Sequence, residues 1–366
     1  ESMKELTTKE QEVFELICEN PQISQDELAK KLNITRSSVS VHVSNLLKKR
    51  YIEGKGYIVN RKDKLVVIGA SMIDIVGRSH NPLIHKDSNP GQIRVSAGGV
   101  SRNISENLSR LGAHVSLLTA LCDDSFGQMI KESCIKSNVD ISEAYMVHGE
   151  TTTTYIAILD DEGDMDLALS DTAALDKIPV DYILKKDYVL KGSEIIVVDA
   201  VLPGDVMDVI GENYGSSKRI FIDPVSVGKA KSIKNKLHYF DTLKCNRLEA
   251  EFLSDIEINN RDDVRKAAEV LRSKGVKCVY ITLGAEGAYY QTNVESGFVS
   301  SVPTNIQNAT GAGDAFMAGL VFAKLNEFEE KDCVRFALTC ASIAIESPYT
   351  VNPNISLEMV KERMKR

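Results

Sequence analysis

The sequence predicts an α/β protein: a layered sheet with a small antiparallel β lid, preceded by a separate mainly helical segment. Three observations carry this. Short apolar runs at 65–68, 115–118, 195–198, 220–222 and 278–283 alternate with helical spacing such as that of 100–111. Two stretches break that rhythm: 92–97 alternates apolar and polar, and 151–170 reads as a hairpin around Asp160-Asp161-Glu162-Gly163. Before residue 60 the pattern is helix, helix, helix, hairpin, with no strand–helix alternation. The expected domains are therefore 1–60 and 61–366, with lid strands at about 87–97 and 151–171.

In the first domain, Thr8 can cap a helix bearing Val13, Phe14, Leu16 and Ile17, which stops at Asn20-Pro21. Ser24 with Glu27 forms a capping box for a second helix bearing Leu28 and Leu32. Thr35 opens a third, with Val39, Val43, Leu46 and Leu47 on one face and Arg36, Ser37, Ser38, Ser40 and His42 on another. The stretch 52–59, broken by Gly54 and Gly56, reads as a β wing. The whole is similar to a winged helix-turn-helix, with the third helix in the recognition position. Its charge is nearly balanced, but the positive residues gather at Lys48, Lys49, Arg50 and Lys55 and continue into Arg61, Lys62 and Lys64. Such a cluster suits phosphate contacts, so DNA is the expected partner of residues 35–60, with dimerisation or domain packing as the alternative.

Composition sets wider bounds. Apolar residues at 43% and charged residues at 26% describe an ordinary globular chain of 366 residues. The net charge of −8 argues against coating nucleic acid or membrane as a whole, while allowing one local basic face. No apolar run nears the ~20 residues that cross a bilayer, and there is no signal-peptide pattern. A cytoplasmic protein with no membrane partner is expected. Glu1 and Ser2 ahead of Met3 read as a cloning remnant. Seven scattered cysteines without a C-x-x-C, and six dispersed histidines, argue against a disulfide framework or a zinc cluster.

The residues with chemistry lie where glycines meet helix starts and strand ends. Asn308-Ala309-Thr310-Gly311-Ala312-Gly313-Asp314 leads into a helical stretch with Phe316, Met317, Leu320 and Val321. Gly311 and Gly313 allow close backbone approach, and the helix mouth adds positive dipole for an anion beside Asp314. That is the geometry phosphoryl transfer needs. Asp74, after the first strand, can accept two vicinal hydroxyls or serve as a turn residue. Gly98 and Gly99 ahead of Asn103, which offers both donor and acceptor, allow close backbone approach to a ligand, or make a tight turn. Asn246 and Glu249, at i and i+3, present oxygens suited to hydrated magnesium, or form an exposed helix face. Thr282-Leu283-Gly284-Ala285-Glu286-Gly287 is a strand end and glycine turn, which also reads as a hairpin into Ala288-Tyr289-Tyr290.

Recurring in this order from about residue 64 onward, these motifs resemble those of the ribokinase-like (PfkB) family of sugar and nucleoside kinases, and within it the pseudouridine kinases. The resemblance implies a three-layer α/β/α sandwich with a small β lid, and a homodimer through the lid strands. It implies ATP-dependent phosphorylation of the 5′-hydroxyl of a nucleoside, pseudouridine, with ATP and Mg2+ as cofactors. Asp314 would be the base, and Gly311, Ala312 and Gly313 the anion hole. Asp74, Gly98, Gly99 and Asn103 would hold the sugar. Thr282, Gly284, Gly287, Asn246 and Lys229 would lie near ATP, with Asn246 and Glu249 toward the metal. Ser88, Asn89, Thr153 and Asp171 fall in or beside the lid, where they can read the uracil edge or be turn and strand-surface residues. The chain departs from the family pattern at Asn308, where an Asp of a monovalent-cation site often stands, and at Ala309, where Thr is frequent. That puts K+ activation in doubt. A kinase for another nucleoside or sugar, or a ligand-sensing transcription regulator on a kinase fold, are the alternatives.

Overall fold

A computed structural model describes residues 6–21, 23–49, 51–52 and 64–365. The chain divides into two compact units, Glu1–Lys62 and Asp63–Arg366. In the first, helices Thr8–Glu19, Gln25–Leu32 and Arg36–Lys48 close around Val13, Ile17, Leu28, Val39, Val43 and Leu46. The first helix is capped by Thr7, not Thr8. Glu10 is the third helical residue after Thr7, and its carboxylate completes a capping box. That carboxylate also takes the Lys49 ammonium at 2.7 Å, fastening the first helix to the end of the third. The expected wing falls almost wholly outside the described residues, as do Arg50, Lys55, Arg61 and Lys62.

The second unit is a three-layer α/β/α sandwich. Its strands in chain order are β1 (Lys64–Ile68), β2 (Met72–Ser79), β3 (Gly91–Gly98), β4 (His114–Leu118), β5 (Ala120–Cys122), β6 (Tyr145–Val147) and β7 (Thr154–Leu159). They continue as β8 (Met165–Asp171), β9 (Ile195–Asp199), β10 (Arg219–Asp223), β11 (Thr242–Asn246), β12 (Cys278–Thr282), β13 (Ala288–Gln291) and β14 (Ser296–Val299). Eight form the main sheet in the order β14-β13-β12-β11-β10-β9-β1-β4. All pairs from β12 to β4 are parallel, and β13 and β14 add an antiparallel edge.

The strands are buried on both faces, which is why they read as unbroken apolar runs rather than alternating ones. Val66, Ile68, Ile196 and Val198 face helices Gly204–Tyr214 and Arg261–Ser273, among others. Leu65, Val67, Ile195 and Val197 face helices Val100–Arg110, Ala312–Leu325 and Glu330–Ile345. With parallel strands fed by crossover helices, the carboxyl ends of β1, β9, β10, β11 and β12 share one edge, where such sheets bind ligands.

A second sheet, β3-β2-β7-β8, stands apart from the first. Sequence reading found three of its strands and missed β2, whose opening residues it took as a turn. β3 begins at Gly91 rather than 87, because Asn89 ties its own loop by bonds to Ile84 and Asp87 and Pro90 has no N–H for a ladder. Side chains alternate across this sheet. One row is Ser96, Asp74, Tyr155 and Ser170; the next is Val95, Ile75, Ile156 and Leu169, on the opposite face. The apolar face stays open toward its outer end, with Ile93 74% and Leu169 63% exposed. Among the described residues no helix is long and apolar enough to cross a membrane.

Candidate active site

Helix Ala312–Leu325 brings Asp314 to the sheet edge. Its N-cap, Gly311, is left-handed at φ 85° and has no side chain to cap the helix, so the first-turn amides are open to an anion. A Cβ at Gly311 would lie 2.0 Å from the Thr350 carbonyl oxygen, so only glycine fits this turn. Asp314 itself is buried, and its Oδ2 accepts a 2.8 Å hydrogen bond from Asn103 Nδ2. Asn103 lies in helix Val100–Arg110, whose N-cap is Gly99. The two glycine motifs therefore meet through their polar side chains.

Around this contact the structure gathers groups that the sequence motifs left without a role. Asp199 and Asp223 end β9 and β10 side by side. Asp199 Oδ2 accepts the Ala70 amide and the Ser101 hydroxyl, both at 2.7 Å. Asp223 Oδ2 takes the Lys244 ammonium at 2.8 Å, in an ion pair almost wholly out of solvent. A Cβ on Gly313 would lie 2.8 Å from Lys244 Nζ, so the ammonium sits directly under the glycine turn of the helix mouth. One signal could have revealed the two acids: each closes a buried apolar strand, Ile195-Ile196-Val197-Val198-Asp199 and Ile220-Phe221-Ile222-Asp223.

Charge here is unbalanced. Burial, and then the charge of Asp223, push Asp314 up to about 7, against the opposing pull of the Asn103 bond and Lys244. Burial raises Asp199 to about 6 and Asp74 to about 6, the latter moderated by the Arg102 guanidinium. Glu249 is also raised, by burial and by Asp223. Burial works against the charge of Lys244, but Asp223, Glu249 and Asp314 outweigh it and hold the ammonium protonated.

Asn246 and Glu249 do not project together from the middle of a helix. Asn246 is the N-cap of helix Arg247–Ser254 and Glu249 its third residue, joined in a reciprocal capping box at 2.8 and 2.9 Å. Asn246 pairs in register with Thr282 of β12, which brings the third and fourth motifs side by side. Gly284 and Gly287 form the hairpin turn from β12 to β13, both at positive φ. A Cβ on Gly287 would lie 2.0 Å from the Val299 carbonyl oxygen, so the turn needs that glycine for packing. The Ser301 hydroxyl donates to the Ala285 carbonyl oxygen of this turn at 2.5 Å, and residues 300–303 line a cavity of about 710 Å³ together with Lys331, Arg335, Leu338 and Arg363.

Asp74 stands on β2, on the polar face of the lid sheet, and a Cβ at Gly98 would collide with its Oδ2 at 2.0 Å. Thr153 lies just before β7, and its buried hydroxyl has no partner among the described residues. Asp171 ends β8 exposed and accepts the Ala173 amide. Ser88 is exposed in the loop before β3, where the amide of Asn89 is occupied by the loop itself. Lys229 lies in the short helix Val227–Ala230 after β10, capped by Ser226. Among the described residues no three His, Cys, Asp or Glu side chains form a ready metal cage.

A model of the pfkB family carbohydrate kinases matches residues 62–357, and one of winged helix-turn-helix DNA-binding domains matches residues 6–53. The chain is 37% identical to a pseudouridine kinase of Escherichia coli (strain K12), over 82% of this chain and 96% of that one. It is 33% identical to an uncharacterized sugar kinase, YeiI, of the same organism, over 96% of this chain and 98% of that one, a match long enough to take in the N-terminal unit. A carbohydrate kinase structure from Agrobacterium tumefaciens superposes with a TM-score of 0.72 at 25% identity, covering 83% of this chain and 97% of that one.

The raised proton affinity of Asp314 has a stability consequence. Between its unfolded value near 4 and its folded value of about 7, the folded state binds a proton that the unfolded state has released, so this group lowers stability as pH rises across that window. Replacing Asp314 with Asn, which keeps an acceptor for Asn103, is expected to raise the melting temperature at pH 8 and to change it little at pH 4. Calorimetry at the two pH values checks this.

Proposed function

We propose that this chain, which belongs to the pfkB family of carbohydrate kinases, transfers the γ-phosphoryl group of ATP to the 5′-hydroxyl of pseudouridine. As a member of that family it is a phosphotransferase with an alcohol group as acceptor. The observation that carries the reading is the buried Asp314 carboxylate at an uncapped helix mouth, held by Asn103 from the helix behind Gly98-Gly99.

Asp314 accepts the proton of the 5′-hydroxyl as that oxygen bonds to the γ-phosphorus, and the bond to the β–γ bridging oxygen breaks to leave ADP. The amides of the first turn and the Lys244 ammonium lie where they can stabilise the charge of the transferred group. Asp74 and Asn103 offer the ribose an acceptor carboxylate and an amide, and the open hydroxyl of Thr153 offers a hydrogen bond under the lid.

Carboxylates outnumber cations here: Asp223, Glu249 and Asp314 face the single ammonium of Lys244. Such a donor set fits a hydrated Mg2+ reached by Asn246 and Glu249 through water. That ion would neutralise phosphate charge. Asn308 donates to the Pro348 carbonyl oxygen and accepts the Thr310 amide, tying the loop before the anion hole by its own side chain. This supports a kinase that works without added K+.

Steady-state assays with ATP and Mg2+, with and without K+, on pseudouridine, uridine, guanosine and ribose test the substrate. Pseudouridine is expected to exceed the others in kcat/KM by about 10-fold or more. Equal rates with uridine would overturn the choice of nucleoside. Asp314→Ala is expected to lower kcat by about 100-fold or more while ligand binding by calorimetry persists.

The apolar outer face of the lid supports a homodimer through lid strands, because a second copy would cover Ile93, Leu167 and Leu169. Light scattering should give about twice the chain mass for the wild type and the monomer mass for Leu169→Lys combined with Ile93→Lys.

The N-terminal unit supports binding to DNA. Helix Arg36–Lys48 has no acidic residue and exposes Arg36, Ser37, Ser40 and Val41. Fluorescence anisotropy on genomic fragments flanking the coding region should detect binding that weakens with salt and with Arg36→Ala. Affinity that is indifferent to both would leave this unit a packing module.

A further inference from the structure

The side chain next to the base-holding asparagine is a buried arginine that no part of the mechanism above uses. Arg102 is 5% exposed, in the first turn of helix Val100–Arg110. Its Nη1 donates to Asn103 Oδ1 at 3.1 Å and to the carbonyl oxygen of Ala97, on lid strand β3, at 3.2 Å. Its Nη2 donates to Ser133 Oγ at 2.7 Å and to Glu106. Its buried Nε has no partner among the described residues. A buried guanidinium with a donor left open is a costly choice for packing alone.

The chemistry of the two amide ends gives it a purpose. A guanidinium only donates, so the end of the Asn103 amide that faces Arg102 must be the carbonyl oxygen. The NH₂ end is thereby turned toward Asp314, where it makes the 2.8 Å bond. An ionised Asp314 favours the same end, but a protonated one could donate to the amide oxygen instead; Arg102 holds the NH₂ end toward Asp314 in both states. We propose that Arg102 is a positioning residue: it selects the end of the Asn103 amide that meets Asp314 and links the catalytic base to lid strand β3. The inference rests on the reading of Asp314 as the base.

The surroundings fit this task. Asp314 is faced by Asp223 and Asp199 from the strand ends, by Lys244 from β11, and by Asn103. Arg102 is faced by Glu106 on its own helix, by Asp74 on β2, and by Ser133 and Cys134 on helix Ser125–Lys136. Arg110 holds Glu106 Oε1 by two bonds at 2.7 and 2.8 Å, so removing Arg102 does not strand that carboxylate. A donor on a carboxylate favours its ionised form, so losing the donor raises the proton affinity of Asp314.

The test is the pH dependence of kcat for Arg102→Met and Arg102→Lys beside the wild type, with ATP and the best nucleoside of the panel. In Arg102→Met the acid limb is expected to move alkaline by about one unit, the effect of one hydrogen bond to a charged group, and kcat at neutral pH to fall about tenfold. Arg102→Lys, still able to donate to Asn103, should restore an intermediate limb. If Arg102→Met does not fold, the double variant Arg102→Met with Glu106→Gln removes both charges and is read in the same way. A loss of activity that is uniform across pH, with the limb unmoved, would mean that Arg102 only packs, and would overturn the proposal. A wild type with no limb near neutrality, or turnover retained by Asp314→Asn, would instead overturn the assignment of the base itself.

Discussion

Everything at the sheet edge depends on one contact between residues 211 positions apart, the hydrogen bond from Asn103 to Asp314. It joins the first turns of two helices that pack on the same face of the main sheet, each entered through glycines that tolerate no Cβ. A carboxylate this deep is paid for elsewhere: the main sheet beneath it is apolar on both faces, and those buried strands keep the helix mouth in position against the local repulsion among Asp314, Asp223 and Asp199. Lys244 is the counterweight. Its ion pair with Asp223 is too well buried to be a surface ornament, and removing one partner of such a pair leaves an uncompensated charge.

The motif residues were legible because glycine and carboxylate chemistry is local. Gly311, Gly313 and Asp314 announce a helix mouth in seven consecutive letters, and the layered α/β class follows from apolar runs that alternate with helical spacing, while the three-layer arrangement comes from the family resemblance. What was not legible is what depends on register and long-range packing. Strand β2 reads as a turn because it follows directly on the bend at Gly69, and its own pattern mixes Asp74, Gly77 and Arg78 into the apolar positions. Asn246 and Glu249 have the spacing of a helical pair, yet that same spacing is the signature of a capping box, and propensity alone does not choose between them.

Other residues escaped for a different reason. Asp199, Asp223 and Lys244 lie on three separate strands, and only the strand order brings the acids together and sets the ammonium under Gly313. Arg102 lies inside a motif that was read, but its meaning comes from Ala97, Ser133 and Glu106, none of which the motif names as partners. A sequence reports which chemistry is present; the partners of a buried charge are a property of the folded chain.

The lid sheet writes two messages in alternate letters. Asp74, Ser96 and Tyr155 point one way, while Ile75, Val95 and Ile156, one residue along on the same three strands, point the other. Substitution can therefore retune the inner surface without disturbing the outer, and the reverse. A slip of a single residue in the pairing of β2 with β3 has no such freedom: it would turn oil inward and acid outward at one stroke, corrupting both surfaces together.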